Sequence, residues 1–232
     1  MKTRRLDQVL SSLGYATRRG SAAYVQEGHV KVAGEVVDRH DMRVDVSQVT
    51  VDDKPLEAPD GLLALFHKPV GYTCTHSEEE GETIYDLLPP RWPVRNPAVT
   101  SIGRLDKESS GLLLLTDQGW LVQRYTSPKQ KLEKVYEAVV DHDLDESLIE
   151  VFASGELMLR NEDKPCLPAR LEITGPREAR VTITEGRYHQ VRRMFASQGW
   201  QVETLHRTRI GAYELGDLKP GEWRLVAVPA MQ

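Results

Sequence analysis

The first forty residues change from a helical to a strand-like hydrophobic pattern. Within residues 4–13, apolar side chains stand at positions i, i+3, i+4 and i+7, which predicts a helix with one apolar face that ends at Gly14. These apolar residues are Leu6, Val9, Leu10 and Leu13. A second helix is predicted from about residue 17 to 28, and residues 29–37 then alternate around Ala33-Gly34 as in a hairpin. The order predicted for this part is therefore helix, helix, hairpin.

Beyond residue 60 the pattern favours strands. Residues 52–60 are polar with two prolines and are predicted to be a linker. Strands are then predicted over residues 61–66, 112–115, 135–140, 179–184 and 201–210, with a short helix over 191–198 that ends at Gly199. The fold class predicted is α+β, with an N-terminal domain over residues 1–58 and a second, larger domain with a mainly antiparallel sheet over 59–232.

Composition narrows the class of protein. The 232 residues are 40% hydrophobic and 28% charged, which is ordinary for a globular protein. No apolar run approaches the roughly 20 residues of a membrane helix, and the basic N-terminus lacks the apolar core of a secretory signal. The two cysteines, Cys74 and Cys166, are too few for a disulfide framework or a four-cysteine zinc site. We therefore expect a cytoplasmic protein without a membrane segment.

Charge is segregated along the chain. The net charge of −5 by itself argues against a nucleic-acid partner. However, residues 1–43 carry +3 (eight basic, five acidic), residues 177–209 carry +4 (seven arginines, three acids), and residues 141–163 carry −7 (one arginine, eight acids). Two basic segments suit a polyanionic partner, although a solvated acidic loop would give the same total.

One segment carries the clearest chemistry. Asp106 stands between Arg104 and Lys107, and small residues lead from it into an apolar run. A carboxylate held in a turn at a strand entrance, with positive charge beside it, has the properties of a nucleophile or general base. On the residues alone, an aspartate that only closes the turn or pairs with Arg104 fits equally well.

This segment resembles the catalytic signature of pseudouridine synthases. The signature stands here as Gly103-Arg104-Leu105-Asp106, and Ser109, Gly111 and Leu112 follow as that family has them. The resemblance implies that Asp106 attacks the target nucleoside, that the glycosidic bond breaks, and that C5 of the turned uracil joins C1′ of the ribose. Whether the aspartate adds to the base, adds to the ribose or removes a ribose proton stays open.

Further motifs match the same family and imply roles for other residues. Tyr136 corresponds to the tyrosine whose ring packs on the target uracil, although a half-buried core tyrosine is the commoner role for a strand tyrosine. In Glu185–Phe195, Arg192 corresponds to the basic partner of Asp106, and Val191 to the aliphatic residue beside the base. The other residues assigned to substrate binding are Arg104, Lys107, Arg187, His189 and Lys68. For Lys68 in His67-Lys-Pro-Val-Gly, a scaffold role comes first and RNA contact second.

The N-terminal segment resembles the S4 RNA-binding domain. The match comprises Arg5-Leu-Asp, Thr17-Arg-Arg and Gly28–Gly34. Arginines at the start of the second helix would combine free N–H groups, a helix dipole and bidentate donors for phosphate, although a solvated basic helix end looks the same. The residues assigned to RNA binding are Arg4, Arg5, Arg18, Arg19 and Lys31.

The resemblance covers nearly the whole chain and is to the RsuA-type branch of the family. It implies an isomerase that forms pseudouridine in ribosomal RNA without cofactor or metal. The expected partner is 16S rRNA in an assembling small subunit, and the protein is expected to be a monomer. Three alternatives stay open: a large-subunit (23S) rRNA enzyme, a non-catalytic ribosome assembly factor, and an RNA glycosylase that releases the base.

Overall fold

The structure is a computed structural model that describes residues 3–77, 79 and 81–230. The N-terminal elements are β1 (Thr3–Arg5), α1 (Leu6–Ser12), α2 (Ser21–Gln26), β2 (Val30–Val32), β3 (Glu35–Val36), β4 (Arg43–Asp45), β5 (Val49–Val51) and β6 (Lys54–Pro55). The remaining strands are β7 (Leu63–Lys68), β8 (Thr100–Ile102), β9 (Ser109–Thr116), β10 (Lys134–Val140), β11 (Arg170–Gly175), β12 (Glu178–Ile183), β13 (Val202–Ile210), β14 (Tyr213–Glu214) and β15 (Trp223–Leu225). The remaining helices are α3 (Gly119–Thr126), α4 (Ser147–Ala153) and α5 (Gln190–Ser197).

The N-terminal elements enclose a core of their own. The apolar face of α1 is buried against the short strands, as its spacing predicts. The hairpin of β2 and β3 turns at Ala33 and Gly34, which both have positive φ (52° and 86°), the backbone that a two-residue turn of this hand requires. The strands pair in the order β3-β2-β5-β6, while β4 pairs with β1.

Two sequence-based predictions about this part are wrong in detail. The second helix begins at Ser21 instead of near Thr17, because the Thr17 hydroxyl accepts the Gly20 N–H and holds residues 17–20 in a turn. Arg18 and Arg19 therefore precede the helix. Nor is 52–60 a simple linker, since β6 pairs with β5 and Leu56 is buried in the N-terminal core.

In the rest of the described chain, nine strands form one mixed sheet. Its main path is β11-β12-β10-β13-β9-β7-β15, with β14 added to β13 and β8 added to β9. All pairings are antiparallel except that of β13 with β9, as expected for a mainly antiparallel sheet. The predicted strands and short helix are present with ends shifted by at most three residues, but α3, α4, β8, β11, β14 and β15 were not predicted.

One row of paired residues across four neighbouring strands brings side chains of the candidate site together. Tyr136 on β10 pairs with Arg207 on β13, Arg207 with Gly111 on β9, and Gly111 with Lys68 on β7. Neighbours in register point to the same face of a sheet, so Tyr136, Arg207 and Lys68 project together. Gly111, at φ +110°, supplies no side chain between them.

The N-terminal part is seated on the segment 91–96. The Asn96 N–H donates to Ser12 O at 3.0 Å, and the Arg91 guanidinium lies over the Tyr15 ring at 4.5 Å. Gly14 comes so close that a Cβ there would lie 2.7 Å from Arg91 O. None of the helices in the described residues is long and apolar enough to span a membrane.

Candidate active site

Asp106 lies in the turn between β8 and β9. The turn begins at Gly103, whose φ of +71° is favoured in glycine, and Leu105 is buried beneath it. The Asp106 carbonyl accepts the Ser109 N–H at 3.0 Å, which closes the turn at the start of β9. The Asp106 carboxylate is about one-quarter exposed (25%), so a nucleotide can reach it.

Lys68 fixes the backbone of this turn from below. It is fully buried, and its ammonium donates to the carbonyls of Ser109 (2.7 Å), Pro69 (3.0 Å) and Lys107 (3.3 Å). Burial lowers the pKa of Lys68. Its scaffold role agrees with the sequence interpretation, but the RNA contact assigned to Lys68 is wrong for this structure, because the side chain has no exposed surface.

Arg192 holds the same turn from the side. Its Nη2 donates to Glu108 O at 3.1 Å and its Nη1 to Val202 O at 2.8 Å, which ties α5 to the catalytic turn and to β13. The direct pairing of Arg192 with Asp106 expected from the sequence is not found: its two Nη atoms donate to backbone carbonyls, and its buried Nε has no partner among the described residues. Arg192 instead contributes positive charge behind the turn.

The side chain that contacts the Asp106 carboxylate is His189. Its Nε2 lies 3.2 Å from Asp106 Oδ1, and the contact is an ion pair whenever the imidazole is protonated. His189 has a left-handed backbone (φ 47°) at the start of α5, which directs its ring toward the turn. The Tyr188 ring stacks on the His189 ring, with the ring centroids 3.9 Å apart and an interplanar angle of 15°. Sequence reasoning assigned His189 to substrate binding and assigned no role to Tyr188.

Tyr136 and Arg207 form the floor of the site. Tyr136 is 7% exposed, and its hydroxyl accepts a hydrogen bond from Arg207 Nη1 at 3.2 Å. Arg207 is also buried and donates from Nε to Leu112 O at 2.8 Å. Sequence reasoning assigned no role to Arg207, which lies in the strand predicted over residues 201–210.

Arg187 and Arg193 do not face open solvent as phosphate-binding residues would. Arg187 donates to Glu185, Glu162 and the carbonyls of Lys164 (2.7 Å) and Pro165 (2.5 Å). Arg193 donates to Glu162 at 2.8 Å and to the Arg160 and Tyr188 carbonyls. The assignment of Arg187 to substrate contact is therefore corrected, because its donors already hold the 160–165 loop against α5.

The other predicted substrate-binding residues differ in exposure. Arg104 is exposed and makes no hydrogen bond or ion pair with the residues that the structure describes. Lys107 is exposed on the same turn. Val191 is buried in one cluster with Leu105 and Tyr136, under the turn that carries Asp106. Arg104 is thus the basic residue of this turn best placed to meet an incoming phosphate.

Of the basic residues assigned to RNA binding in the S4 domain, some form hydrogen bonds or ion pairs within the protein and others are exposed. Arg5 pairs with buried Asp7 through two hydrogen bonds of 3.0–3.1 Å, Arg4 donates to Ser12 and Pro59, and Lys31 pairs with Asp53. Arg18 is 67% exposed and only loosely associated with Asp7 at 3.8 Å. Arg19 is exposed as well. The exposed arginines therefore lie in the turn before α2.

The described part of the chain contains no cluster of metal ligands. Within residues 3–77, 79 and 81–230, no three His, Cys, Asp or Glu side chains are grouped as metal ligands. The acidic residues at 141–146 instead accept hydrogen bonds from the segment before β13, from the Gln201 N–H to Asp141 and from Trp200 Nε1 to Asp143 O.

Comparison with known proteins identifies the family. The family model described as RNA pseudouridylate synthase matches residues 63–197, and the S4 domain model matches residues 4–56. A solved structure titled "Crystal structure of pseudouridylate synthase" superposes with a TM-score of 0.66 at 35% identity, covering 96% of each chain. The chain belongs to the RNA pseudouridylate synthase family and carries an N-terminal S4 domain.

Similar proteins extend over almost the same length. The protein of Vibrio parahaemolyticus is 39% identical over 227 residues, covering 95% of this chain and 94% of the relative. Those of Pseudomonas aeruginosa (39%) and Escherichia coli K12 (36%) each cover 95% of both chains. All three are named ribosomal small subunit pseudouridine synthase A. The predicted isomerase class, acting on RNA, is thereby confirmed.

Proposed function

We propose that this protein converts one uridine of 16S ribosomal RNA to pseudouridine, with Asp106 as the catalytic carboxylate. The observation that supports the proposal is the turn that carries Asp106. Its carboxylate is exposed enough for a nucleotide to reach it, and Lys68 and Arg192 hold the turn through hydrogen bonds to its backbone. The chain that carries this turn belongs to the pseudouridylate synthase family. The full-length similarity to three small-subunit enzymes supports the small-subunit target over the large-subunit one.

In this reaction Asp106 acts on the nucleoside after the base has left its stack. The N1–C1′ bond breaks, the base turns within the site, and a C5–C1′ bond forms. The C5 proton is lost and N1 gains a proton, so the substrate and product have the same composition. Tyr136 supplies the ring on which the base rests, and Arg207 holds that ring through its hydroxyl.

The basic surroundings of Asp106 suit this chemistry. Lys68, Arg192 and Arg207 place positive charge behind the turn, and His189 contacts the carboxylate itself. Such charges favour an anionic nucleophile and compensate charge that develops on the base. Arg104 and the S4 arginines Arg18 and Arg19 lie exposed where they can contact phosphates.

The test is tritium release from small-subunit RNA labelled at uracil C5. We expect release with the wild type and none with Asp106→Asn, although the variant should still bind RNA. Glu108→Gln is the matched control, because it neutralises an exposed carboxylate on the same turn and should retain activity. Wild-type turnover by Asp106→Asn would refute the catalytic assignment.

Two further comparisons use the same assay. Free 16S rRNA and a partly assembled small subunit, offered separately, show which form is the substrate, and we expect the particle to be modified faster. Release from 23S rRNA alone would identify a large-subunit enzyme. Free uracil among the products would identify a glycosylase. RNA binding without tritium release would identify an assembly factor. Sedimentation of the free protein is expected to show a monomer.

A further inference from the structure

Tyr188 has an unusual position for an aromatic residue. The structure describes all eight tyrosines, four tryptophans and three phenylalanines of the chain, and of these Tyr188 alone is exposed (71%). An exposed tyrosine leaves apolar ring surface in contact with water, and a base that stacks on the ring would remove that surface from water.

The ring is held in place before any ligand arrives. It stacks on His189 at 3.9 Å with an interplanar angle of 15°, and His189 in turn lies 3.2 Å from the Asp106 carboxylate. The backbone is fixed as well, because the Tyr188 carbonyl accepts a hydrogen bond from Arg193 (3.1 Å) and His189 has a left-handed backbone. Tyr188 is thus linked through the His189 ring to the Asp106 carboxylate, while most of its own surface is exposed.

The RNA substrate loses base stacking next to the target uridine. When a uridine leaves its stack to reach Asp106, the neighbouring base loses a stacking partner, which costs free energy. An aromatic ring next to the site can replace that partner whatever the base, because every base has a π face. Tyr136 cannot serve here, since it is buried on the sheet and is the ring proposed to hold the target uracil itself.

We propose that Tyr188 is a stacking subsite for the nucleobase that adjoins the target uridine in the RNA strand. The ligand class is a purine or pyrimidine base of single-stranded or locally opened RNA. This inference rests on the proposed function, because it names the part of the same RNA that the exposed ring receives. Tyr188 acts on binding, so its loss should raise KM and Kd more than it lowers kcat.

The test compares Tyr188→Phe, Tyr188→Leu and Tyr188→Ala with the wild type on the same small-subunit RNA. Tyr188→Phe should bind and turn over as the wild type does, because the ring remains. Tyr188→Leu and Tyr188→Ala should weaken RNA binding roughly ten- to hundred-fold, the usual effect of removing one base–aromatic stack. The control is Ile149→Ala, which removes an exposed apolar side chain from α4 and should leave affinity unchanged.

A direct probe of the stack is 2-aminopurine placed on either side of the modified uridine, once that uridine has been mapped. With Asp106→Asn to prevent turnover, one of the two positions should lose fluorescence on binding, and Tyr188→Leu should restore it. Equal Kd for Tyr188→Leu and the wild type would overturn the subsite, as would an equal loss in Tyr188→Phe, which would point to the hydroxyl. Failure of the wild type to isomerise this RNA would instead count against the proposed function.

Discussion

Arg207 is the residue whose role follows most directly from its contacts. It is 4% exposed and donates to Leu112 O and to the Tyr136 hydroxyl; in the described part of the chain its Nη2 has no partner. Only a planar guanidinium group can donate to the Leu112 carbonyl and to the Tyr136 hydroxyl at the same time. Arg207 therefore fixes the orientation of Tyr136.

Arg207→Lys should therefore lower kcat about tenfold or more while RNA affinity stays within a few-fold. Lysine keeps the charge but cannot reach both acceptors, and loss of one hydrogen bond to a charged group costs about 1.5–3 kcal/mol. Single-turnover and binding assays separate the two effects. Arg209→Lys is the control, because Arg209 lies on the same strand but pairs with exposed Glu133. Equal losses in both variants would argue against a positioning role.

In the S4 domain, Asp7 has a similar role as a buried residue that holds its neighbours by hydrogen bonds. Its buried carboxylate accepts from Arg5 (3.0 and 3.1 Å) and from the Gln8 N–H (2.8 Å). The hydrogen bonds from Arg5 lower the pKa of Asp7 in the folded protein. The stabilisation is therefore complete above the ordinary aspartate pKa and is lost as pH falls through the lowered folded pKa.

Asp7→Asn should accordingly lower the free energy of unfolding by about 1.5–3 kcal/mol at neutral pH. The difference from the wild type should shrink below about pH 4, where the unfolded carboxyl takes up its proton. Urea titrations at several pH values measure this. Asp41→Asn, which removes an exposed pair with Arg39, should change stability by less than about 1 kcal/mol at any pH. A pH-independent difference for Asp7→Asn would contradict the account.

At the residue level, motifs in the sequence single out Asp106 and Tyr136 as candidate site residues, but they do not predict the contacts between side chains. A motif that pairs an arginine with an aspartate does not say whether the guanidinium meets the carboxylate or a backbone carbonyl, and Arg192 donates to two carbonyls. Which carbonyls come within reach depends on how β9, β13 and α5 are packed. For the same reason the burial of Lys68 could not be predicted from His67-Lys-Pro.

At the level of elements, the pairing of β9 with β13 decides whether the site can form. A Cβ on Gly111 would lie 2.2 Å from Arg207 O and 2.5 Å from Arg207 N, on a backbone with φ +110°. Both contacts are with backbone, so no side-chain rotation relieves them. The glycine in the Ser-Ser-Gly-Leu segment is thus required by the close approach of two strands.

Gly111→Ala should therefore destabilise the protein by more than about 3 kcal/mol, above the strain that a positive φ alone imposes. Unfolding in urea measures the change. Gly119→Ala is the matched control: nothing lies within 4 Å of its Cβ position, and it stands at the start of α3, where alanine should be neutral or slightly stabilising. An unfolding midpoint of Gly111→Ala equal to that of the control would mean that the strands can separate without loss.

The strands were predictable because alternation and apolar runs depend on local sequence. Helix α4 was not, since it lies within the acidic run 141–163 and buries only Leu148 and Phe152, one turn apart. The late start of α2 arises from Thr17, whose hydroxyl stabilises a turn that competes with the helix. Such local competition is invisible to hydrophobic periodicity.

At the scale of the whole molecule, the boundary between the S4 domain and the rest is held by a buried charge. Arg95 is buried and pairs with buried Asp117; it also donates to Glu57 O (3.1 Å) and Ala58 O (2.8 Å). The Glu57 side chain accepts from Trp92 Nε1 at 2.6 Å. Residues 57 and 58, placed in the N-terminal domain by the sequence prediction, therefore complete the core of the catalytic part.

Two truncations distinguish these roles. A chain that begins at Glu57 keeps both carbonyl acceptors of Arg95, whereas one that begins at Pro59 leaves a buried guanidinium short of two hydrogen bonds. Because each such bond to a charged group is worth about 1.5–3 kcal/mol, the shorter chain should be several kcal/mol less stable. Both should lose RNA affinity to the same extent, with a shallower dependence of log Kd on log salt, because the S4 arginines are gone.

Thermal unfolding and RNA binding of the two chains, measured beside the full protein, separate docking from folding. If both truncated chains are equally stable, the carbonyls of residues 57 and 58 do not support Arg95, and the division at residue 58 is correct as predicted. If the chain that begins at Glu57 binds RNA as tightly as the full protein, the S4 domain does not dock the substrate. The expected result, a stable but weakly binding chain from Glu57, would place the functional boundary before residue 57.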